Sequence, residues 1–214
     1  MPVITIGDNT ADDFAGTEDA YFRSDAPTSN YGSDATIRAY GSTARNGVLS
    51  FSGFANVPAG ATINDITQYI YNTSGITSSI FSFRRVLLNW VEAQITWNIY
   101  STGNNWNTAG GLGDDTDRSS TVSGTVTVTT TGWYSNSDAQ WITDHQNFLD
   151  GTWNNYGYHI QNGTTTFGLF ASSEGTDGQR PYIEIDYTAG GGYVPPFGGL
   201  SGKSLSGSLG GRGV

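Results

Sequence analysis

The stretch that decides the fold is Tyr182-Ile183-Glu184-Ile185-Asp186-Tyr187. Its isoleucines alternate with acidic residues. Side chains on a β-strand point alternately to opposite faces, so this pattern predicts a strand with one face in a core and the other in water. The same alternation recurs in 20–23, 36–40, 48–51, 67–71, 82–86, 125–128 and 157–161. It predicts an all-β protein whose solvent faces carry Arg38, Arg84, Gln161 and Glu184.

One segment has helical periodicity instead. Residues 138–149 place Trp141, Ile142 and His145 on a partial apolar stripe, and Ser137 or Asp138 can cap its start. We expect a short helix that closes one end of the fold. The predicted architecture is a jelly-roll β-sandwich of two antiparallel sheets with one short helix and a Gly-rich C-terminal arm.

Composition excludes several classes of protein. The chain has 214 residues and a net charge of −10, which argues against a nucleic-acid partner because phosphate contacts need Lys and Arg. No apolar run is long enough to span a membrane. The absence of Cys excludes disulfides and thiolate metal sites. With 6 Trp, 12 Tyr and 10 Phe, the chain can bury a core.

The composition changes near residue 189. Residues 1–189 contain all 19 acidic residues and form the predicted sandwich domain, whereas 190–214 form an arm of Gly, Ser and Leu with one Lys and one Arg. Two interpretations remain open: a disordered terminus, or an arm that orders against a partner subunit or against the domain's own surface. Apolar residues recur in the arm and are the candidate partner-binding residues: Tyr193, Phe197, Leu200, Leu205 and Leu209.

The tryptophans are the first candidates for a binding role, because an exposed indole face can stack on a sugar ring. Trp90, Trp97 and Trp141 are expected in the core. The other three lie beside Asn and Gly in apparent loops. The candidate glycan-binding set is Trp106, Trp133, Trp153, Asn105, Asn155 and Tyr156.

An acidic loop is the candidate metal site. Asp114, Asp115 and Asp117 follow a Gly-rich turn, and oxygen-rich loops suit Ca²⁺. The alternative is a solvated turn that caps a neighbouring element. A second acidic cluster contains Asp8, Asp12 and Asp13. We expect no required cofactor beyond this candidate calcium.

Catalysis is not predicted. His145 and His159 are the only histidines, and neither lies in a motif for a Ser-His-Asp site or a metal pair. Carboxylate pairs for glycoside hydrolysis could be drawn from several acids, but sequence alone gives no reason for them to converge.

Several segments, in order, resemble the DNRLRE-type domain family, which is similar to carbohydrate-binding modules found with polysaccharide lyases. The resemblance spans about residues 17–188 and rests on 18–21, 29–38, 48–51, 57–63, 89–98, 150–152, 155–157, 171–174 and 180–187. Its strongest part is Asn89-Trp90-Val91-Glu92-Ala93-Gln94-Ile95-Thr96-Trp97-Asn98. The resemblance implies a jelly-roll sandwich without catalytic function, in which Glu92 and Glu174 belong to structural motifs.

Two functions follow from these observations. The first is a structural or decorating subunit of an extracellular assembly, most plausibly a phage virion surface protein, with the arm docked on a partner subunit. The absence of a signal peptide at the N-terminus favours this interpretation. The alternative is an adhesion module that binds cell-surface or matrix polysaccharide. Both predict an extracellular or virion-surface location.

Overall fold

The computed structural model describes residues 2–7, 16–75 and 78–190. Sheet A contains β1 (Val3–Gly7), β3 (Thr36–Ala39), β5 (Thr62–Asn72), β10 (Gly132–Asn136), β12 (Gly168–Ala171) and β13 (Tyr182–Thr188). Sheet B contains β2 (Thr17–Arg23), β4 (Arg45–Phe51), β6 (Ser79–Arg85), β9 (Gly124–Val128) and β11 (Tyr158–Asn162). A hairpin of β7 (Ile99–Ser101) and β8 (Asn104–Asn105), the helices α1 (Gly41–Ala44) and α2 (Ala139–Leu149), and a 3-10 turn (Gly53–Asn56) complete the fold.

Both sheets are antiparallel, which confirms the predicted all-β sandwich. Sheet A has the order β1-β13-β5-β12-β3, with β10 paired to β5, and sheet B has the order β2-β4-β11-β6-β9. Most connections cross from one sheet to the other, as expected for a jelly roll. Besides α2, the described residues contain the four-residue helix α1.

The main core lies between the two sheets and follows the predicted alternation. Ile183 and Ile185 of β13 are fully buried in it, whereas Glu184 lies on the outer face of sheet A and is partly exposed. Leu49 of β4 and Ile160 of β11 enter the same core from sheet B. Burying each such side chain contributes about 1.5–3 kcal/mol.

A second core covers the outer face of sheet B. The connection between β6 and β9 folds back over that face, and its Trp90, Trp97 and Trp106 pack with Phe22 of β2 and Val48 of β4. This covering segment, residues 87–122, leaves Arg84 and Gln161 only partly exposed. Over β2 and β4, the outer face of sheet B is therefore an internal surface, not the solvent face that alternation alone predicts, whereas Ile80 of β6 on the same face stays exposed.

The Asn30–Gly32 turn holds the covering segment at the edge of sheet B. The Asn30 side-chain amide donates hydrogen bonds to the carbonyls of Glu92 (2.7 Å) and Ile95 (2.8 Å). A Cβ at Gly32 would lie 2.3 Å from the Glu92 carbonyl oxygen, so only glycine allows this approach. Segments 29–38 and 89–98, which both carry the family resemblance, thus hold each other in place.

Helix α2 is confirmed, and Asp138 is its N-cap residue. The Asp138 carboxylate accepts a hydrogen bond from the Thr125 amide (3.0 Å) and does not cap the helix amides, in contrast to the predicted capping role. Gln146 ties the helix to the start of β5 by accepting from the Ile63 amide (2.8 Å) and donating to the Ala61 carbonyl (3.2 Å). Trp141 is fully buried, and with Trp90 and Trp97 it confirms the three predicted core tryptophans.

Among the described residues, no helix combines the length and apolar character that crossing a membrane requires. The candidate arm residues lie outside the described residues: Tyr193, Phe197, Leu200, Leu205 and Leu209. The same holds for the acidic cluster of Asp8, Asp12 and Asp13. The domain boundary at residue 189 stays a prediction.

Candidate functional site

The outer face of sheet A carries a group of aromatic side chains that we call the aromatic platform: Tyr69, Tyr71, Trp133 and Tyr182. Tyr69 and Tyr71 lie two residues apart on β5, so both point away from the core while Ile70 points into it. The strand register sets Trp133 of β10 opposite Tyr71, and Tyr182 of β13 opposite Tyr69. Three strands thus bring four rings onto one surface.

The rings of the platform contact one another. Tyr69 and Tyr182 are stacked, with centroids 4.5 Å apart and planes within 9°. The Trp133 ring stands across both Tyr71 (5.3 Å, 81°) and Tyr182 (5.4 Å, 74°). Trp133 keeps 39% of its surface exposed, the largest exposure among the described tryptophans. Such mutual packing holds the rings in place, and a surface that is already ordered loses less entropy in any binding event.

Acidic groups lie beside the platform. Glu184 of β13 accepts a hydrogen bond from the Tyr69 hydroxyl (3.0 Å). Burial and this carboxylate raise the pKa of Tyr69 to about 12. Asp65 of β5 and Asp186 of β13 lie opposite each other in the strand register, further along the same face. Strands β1, β5, β10 and β13 contain no Lys or Arg. These four strands therefore offer stacking faces and hydrogen-bond acceptors and contribute no cationic side chain to the surface.

Trp106 does not have the exposed position that its Asn-rich context predicts. Only 5% of its surface is exposed, and its ring packs against Phe22 (5.7 Å) and Tyr100 (5.5 Å). Its indole N–H donates to the Thr96 carbonyl (3.0 Å). The ring belongs to the second core because the covering segment turns inward at this position. The neighbouring Asn105 is exposed on β8.

Trp153 and Tyr156 line a cleft of about 220 Å³. The Arg85 guanidinium lies 3.9 Å from the centre of the Trp153 ring and covers its outer face, while the ring also packs against the main core. Both polar atoms of the Asn155 side chain bond to backbone groups. Its amide donates to the Phe51 carbonyl (2.7 Å), and its oxygen accepts from the Gly157 amide (3.1 Å). The Trp153 face that the sequence predicts to stack on a sugar is covered by Arg85.

The six predicted glycan-binding residues therefore lie in three separate places, and only Trp133 lies on the aromatic platform. Sequence reasoning missed Tyr69, Tyr71 and Tyr182. The alternation in 67–71 could have found the first two, since tyrosines two apart on a strand share a face. Their meeting with Trp133 depends on strand pairing, which no local pattern specifies.

The predicted calcium loop is organised around Asp117. This residue is fully buried, and its carboxylate accepts from the Asn107 amide (2.7 Å), the Asn107 side chain (3.0 Å), the Thr108 amide (2.8 Å) and the Gly113 amide (2.9 Å). Asp114 pairs with Arg118 (3.1 Å), and Asp115 accepts from the Ser120 amide (2.9 Å). The described residues contain no group of three or more acids or histidines arranged to hold a metal ion. Asp117 and Asp115 therefore accept from backbone amides of the loop, and Asp114 pairs with Arg118. Calcium binding by this loop stays a prediction.

Both histidines are buried and neutral. Burial, followed by the nearby Arg118 charge, lowers the pKa of His159 to about 3. Its Nδ1 accepts from the Arg118 guanidinium (3.2 Å), so its Nε2 donates to the Gly110 carbonyl (3.0 Å). Burial lowers the pKa of His145 to about 4, and its ring lies between Phe54 and Trp141. Neither imidazole is exposed to a substrate.

Glu92 and Glu174 lie close to Asp19 of β2 and form a group of acids with it. The Asp19 carboxylate is buried and accepts from the Ser173 amide (2.7 Å), while its own amide donates to the Glu92 carboxylate (2.8 Å). Burial raises the pKa of Asp19 well above its usual value, and repulsion from Glu174 and Glu92 adds to this increase. Burial also raises the pKa of Glu92. These acids join β2 to two loops.

We expect Asp19→Asn to raise the melting temperature near neutral pH. Because the pKa of Asp19 is higher in the folded protein than in the unfolded chain, the folded state loses stability as the pH rises from the unfolded pKa through the folded pKa. The neutral amide removes that loss, and its oxygen can still accept from Ser173. Melting temperatures across the acidic range measure the difference, which should grow with pH. Exposed Glu18 on the same strand is the control, and a similar gain for Glu18→Gln would contradict the assignment to Asp19.

A sequence model of carbohydrate-binding module family 96 matches residues 10–100. This confirms the resemblance to a carbohydrate-binding module over that range, without supporting the narrower DNRLRE-type name. The matched range contains Tyr69 and Tyr71, whereas Trp133 and Tyr182 lie beyond it. None of the curated proteins searched matches the chain.

Proposed function

We propose that this chain is a non-catalytic carbohydrate-binding module that binds a neutral polysaccharide on the aromatic platform. The observation that carries the proposal is the exposed Trp133 ring, held by Tyr71 and Tyr182 on an open sheet face. Sugar rings present C–H groups that pack on aromatic faces. The match to carbohydrate-binding module family 96 supports the same class of ligand.

The charges favour a neutral polysaccharide. Glu184, Asp65 and Asp186 share the platform's sheet face, and an anionic chain would approach them against electrostatic repulsion. Carboxylates are good acceptors for sugar hydroxyls, since charge-assisted hydrogen bonds are stronger than neutral ones. Glu184, next to Tyr182, is the first candidate for such a contact.

The alternative predicted from sequence is thus the better supported function. The family match concerns carbohydrate binding, and neither it nor the described residues give an observation in favour of a virion role. The match to a carbohydrate-binding module also supports a non-catalytic role. An extracellular location follows from the proposed ligand.

Replacing Trp133 by Ala should weaken polysaccharide binding at least tenfold. Loss of a central aromatic contact in a binding surface costs about 2 kcal/mol or more, and 1.4 kcal/mol corresponds to a factor of ten. Affinity electrophoresis in gels containing soluble neutral β-glucans, xylans or mannans identifies a ligand, and calorimetry then gives the dissociation constants of both proteins.

Ile80→Ala is the matched control. Ile80 is 54% exposed on sheet B, so its truncation removes apolar surface from a different sheet. We expect its affinity to equal that of the wild-type protein. If Trp133→Ala and wild type bind the same polysaccharide equally, the platform is not the site. Retained binding of an anionic polysaccharide would instead direct attention to Arg85 and its cleft.

A further inference from the structure

A groove of about 340 Å³, lined by uncharged residues, lies at one end of the sandwich, away from the aromatic platform. The 3-10 turn and the loop that follows form one wall, and the last turn of α2 forms the other. Six residues line it, none of them charged: Phe54, Ala55, Val57, Ala59, Phe148 and Leu149. Its volume is at the lower end of the range for ligand pockets, roughly 300–1,000 Å³.

The described chain ends at the rim of this groove. Strand β13 finishes at Thr188 opposite Thr62 of β5, and Ala189 packs against the main core. A Cβ at Gly190 would lie 2.4 Å from the Gly60 carbonyl oxygen, so the backbone of Gly190 is in close contact with Gly60. Gly60 is the neighbour of Ala59, which lines the groove. Gly190, the last described residue, therefore contacts the residue that follows groove-lining Ala59 in the chain.

We propose that residues 193–197 of the same molecule, Tyr-Val-Pro-Pro-Phe, occupy this groove. At about 3.3 Å per residue, Tyr193 lies within roughly 10 Å of Gly190 and Phe197 within roughly 23 Å. The segment is the first apolar stretch after the exit point, and it carries two aromatic side chains suited to an uncharged groove. Two consecutive prolines leave a segment few conformations to lose, which reduces the entropy cost of docking.

Charge supports an occupant from this chain. All 19 acidic residues precede residue 190, whereas the arm has Lys203 and Arg212 and no acid. The arm is therefore attracted to the body from which it extends. A tether of two glycines after Gly190 also gives docking within one molecule a high effective concentration compared with docking between molecules.

Docking in the groove would direct the remaining arm away from the proposed glycan-binding face. The groove adjoins the start of β5, near Thr62, and Tyr71 lies at the opposite end of that strand. The two positions are about 30 Å apart along the strand. Residues 198–214 would then leave the sandwich at the end remote from the platform.

Amide chemical shifts of the full-length protein test the proposal. We expect Tyr193→Ser/Phe197→Ser to shift the amides of 54–57, 59 and 148–149, and to remove the hydrogen-exchange protection of the amides at 193, 194 and 197. The matched control Leu205→Ser/Leu209→Ser changes two apolar residues of the same arm and should leave the groove amides unshifted. Ala59→Glu, at an exposed groove residue, should abolish the arm's protection without any change in the arm.

Three results would overturn the proposal. The first is an absence of shifts at the groove in Tyr193→Ser/Phe197→Ser. The second is an equal response to the Leu205→Ser/Leu209→Ser control. The third is a groove signature that disappears on dilution together with a dimer measured by light scattering, which would assign the groove to the arm of a second copy.

Discussion

Replacing Trp106 by Ala should lower the free energy of unfolding by about 3–5 kcal/mol, the usual cost of truncating a buried Trp to Ala. The ring is almost fully buried between Phe22 and Tyr100, and its N–H bond to Thr96 joins two parts of the covering segment. Truncation leaves a cavity and an unpaired carbonyl in the second core. Urea denaturation measures the loss, and the melting temperature should fall on the order of 10 °C.

Two variants separate stability from binding. Trp106→Phe keeps most of the ring and loses only the N–H bond, so it should cost less than Trp106→Ala. Trp133→Ala, which removes two ring contacts from a partly exposed surface, should cost about 1–2 kcal/mol, less than Trp106→Ala. If Trp106→Ala were as stable as wild type but failed to bind polysaccharide, Trp106 would be a ligand-binding residue, as its sequence context predicts.

Trp106 also shows where sequence reasoning reaches its limit. Alternation in 182–187 and 67–71 predicts strands correctly because strand periodicity is a local property. Whether a loop tryptophan is exposed depends on what lies beneath it. The residues under Trp106 come from β2 and β4, which precede it by more than fifty positions in the chain.

Two of the four rings of the aromatic platform can be predicted from the sequence, because only those two depend on local periodicity. Tyr69 and Tyr71 share a strand, so their common face follows from the sequence alone. Tyr182 and Trp133 join them only through the pairing of β5 with β13 and β10, and a shift of one residue in either register would turn those side chains into the core. The sequence points to Trp133 because Asn and Gly lie near it, but it does not point to the three tyrosines on the same surface.

The Asp114–Asp117 loop shows that one composition can serve two purposes. Clustered acids are typical of a calcium site and equally of a loop whose backbone amides need acceptors. What separates them is where each carboxylate points. Asp117 is directed into the loop and is fully buried, while Asp115 remains exposed with a positive φ of 57°.

Asp117→Ala should destabilise the protein by about 3 kcal/mol or more. The substitution removes the acceptor of four N–H groups from Asn107, Thr108 and Gly113. Hydrogen bonds to a charged group contribute about 1.5–3 kcal/mol each, and partial access of water to the opened loop keeps the total below their sum. Arg118 follows directly and donates to His159, so His159 should lose this contact as the loop opens. Thermal and urea unfolding measure the effect.

Asp115→Asn is the matched control, because it removes one carboxylate from the same loop and asparagine tolerates the left-handed backbone at this position. It should change stability little, since the Asn oxygen can still accept from Ser120. The contrast also separates the two purposes of the loop. A calcium site would make wild-type stability fall on addition of a chelator and would make both aspartates matter. A loop stabilised by its own amides predicts a large loss for Asp117→Ala, a small one for Asp115→Asn and no effect of the chelator on either.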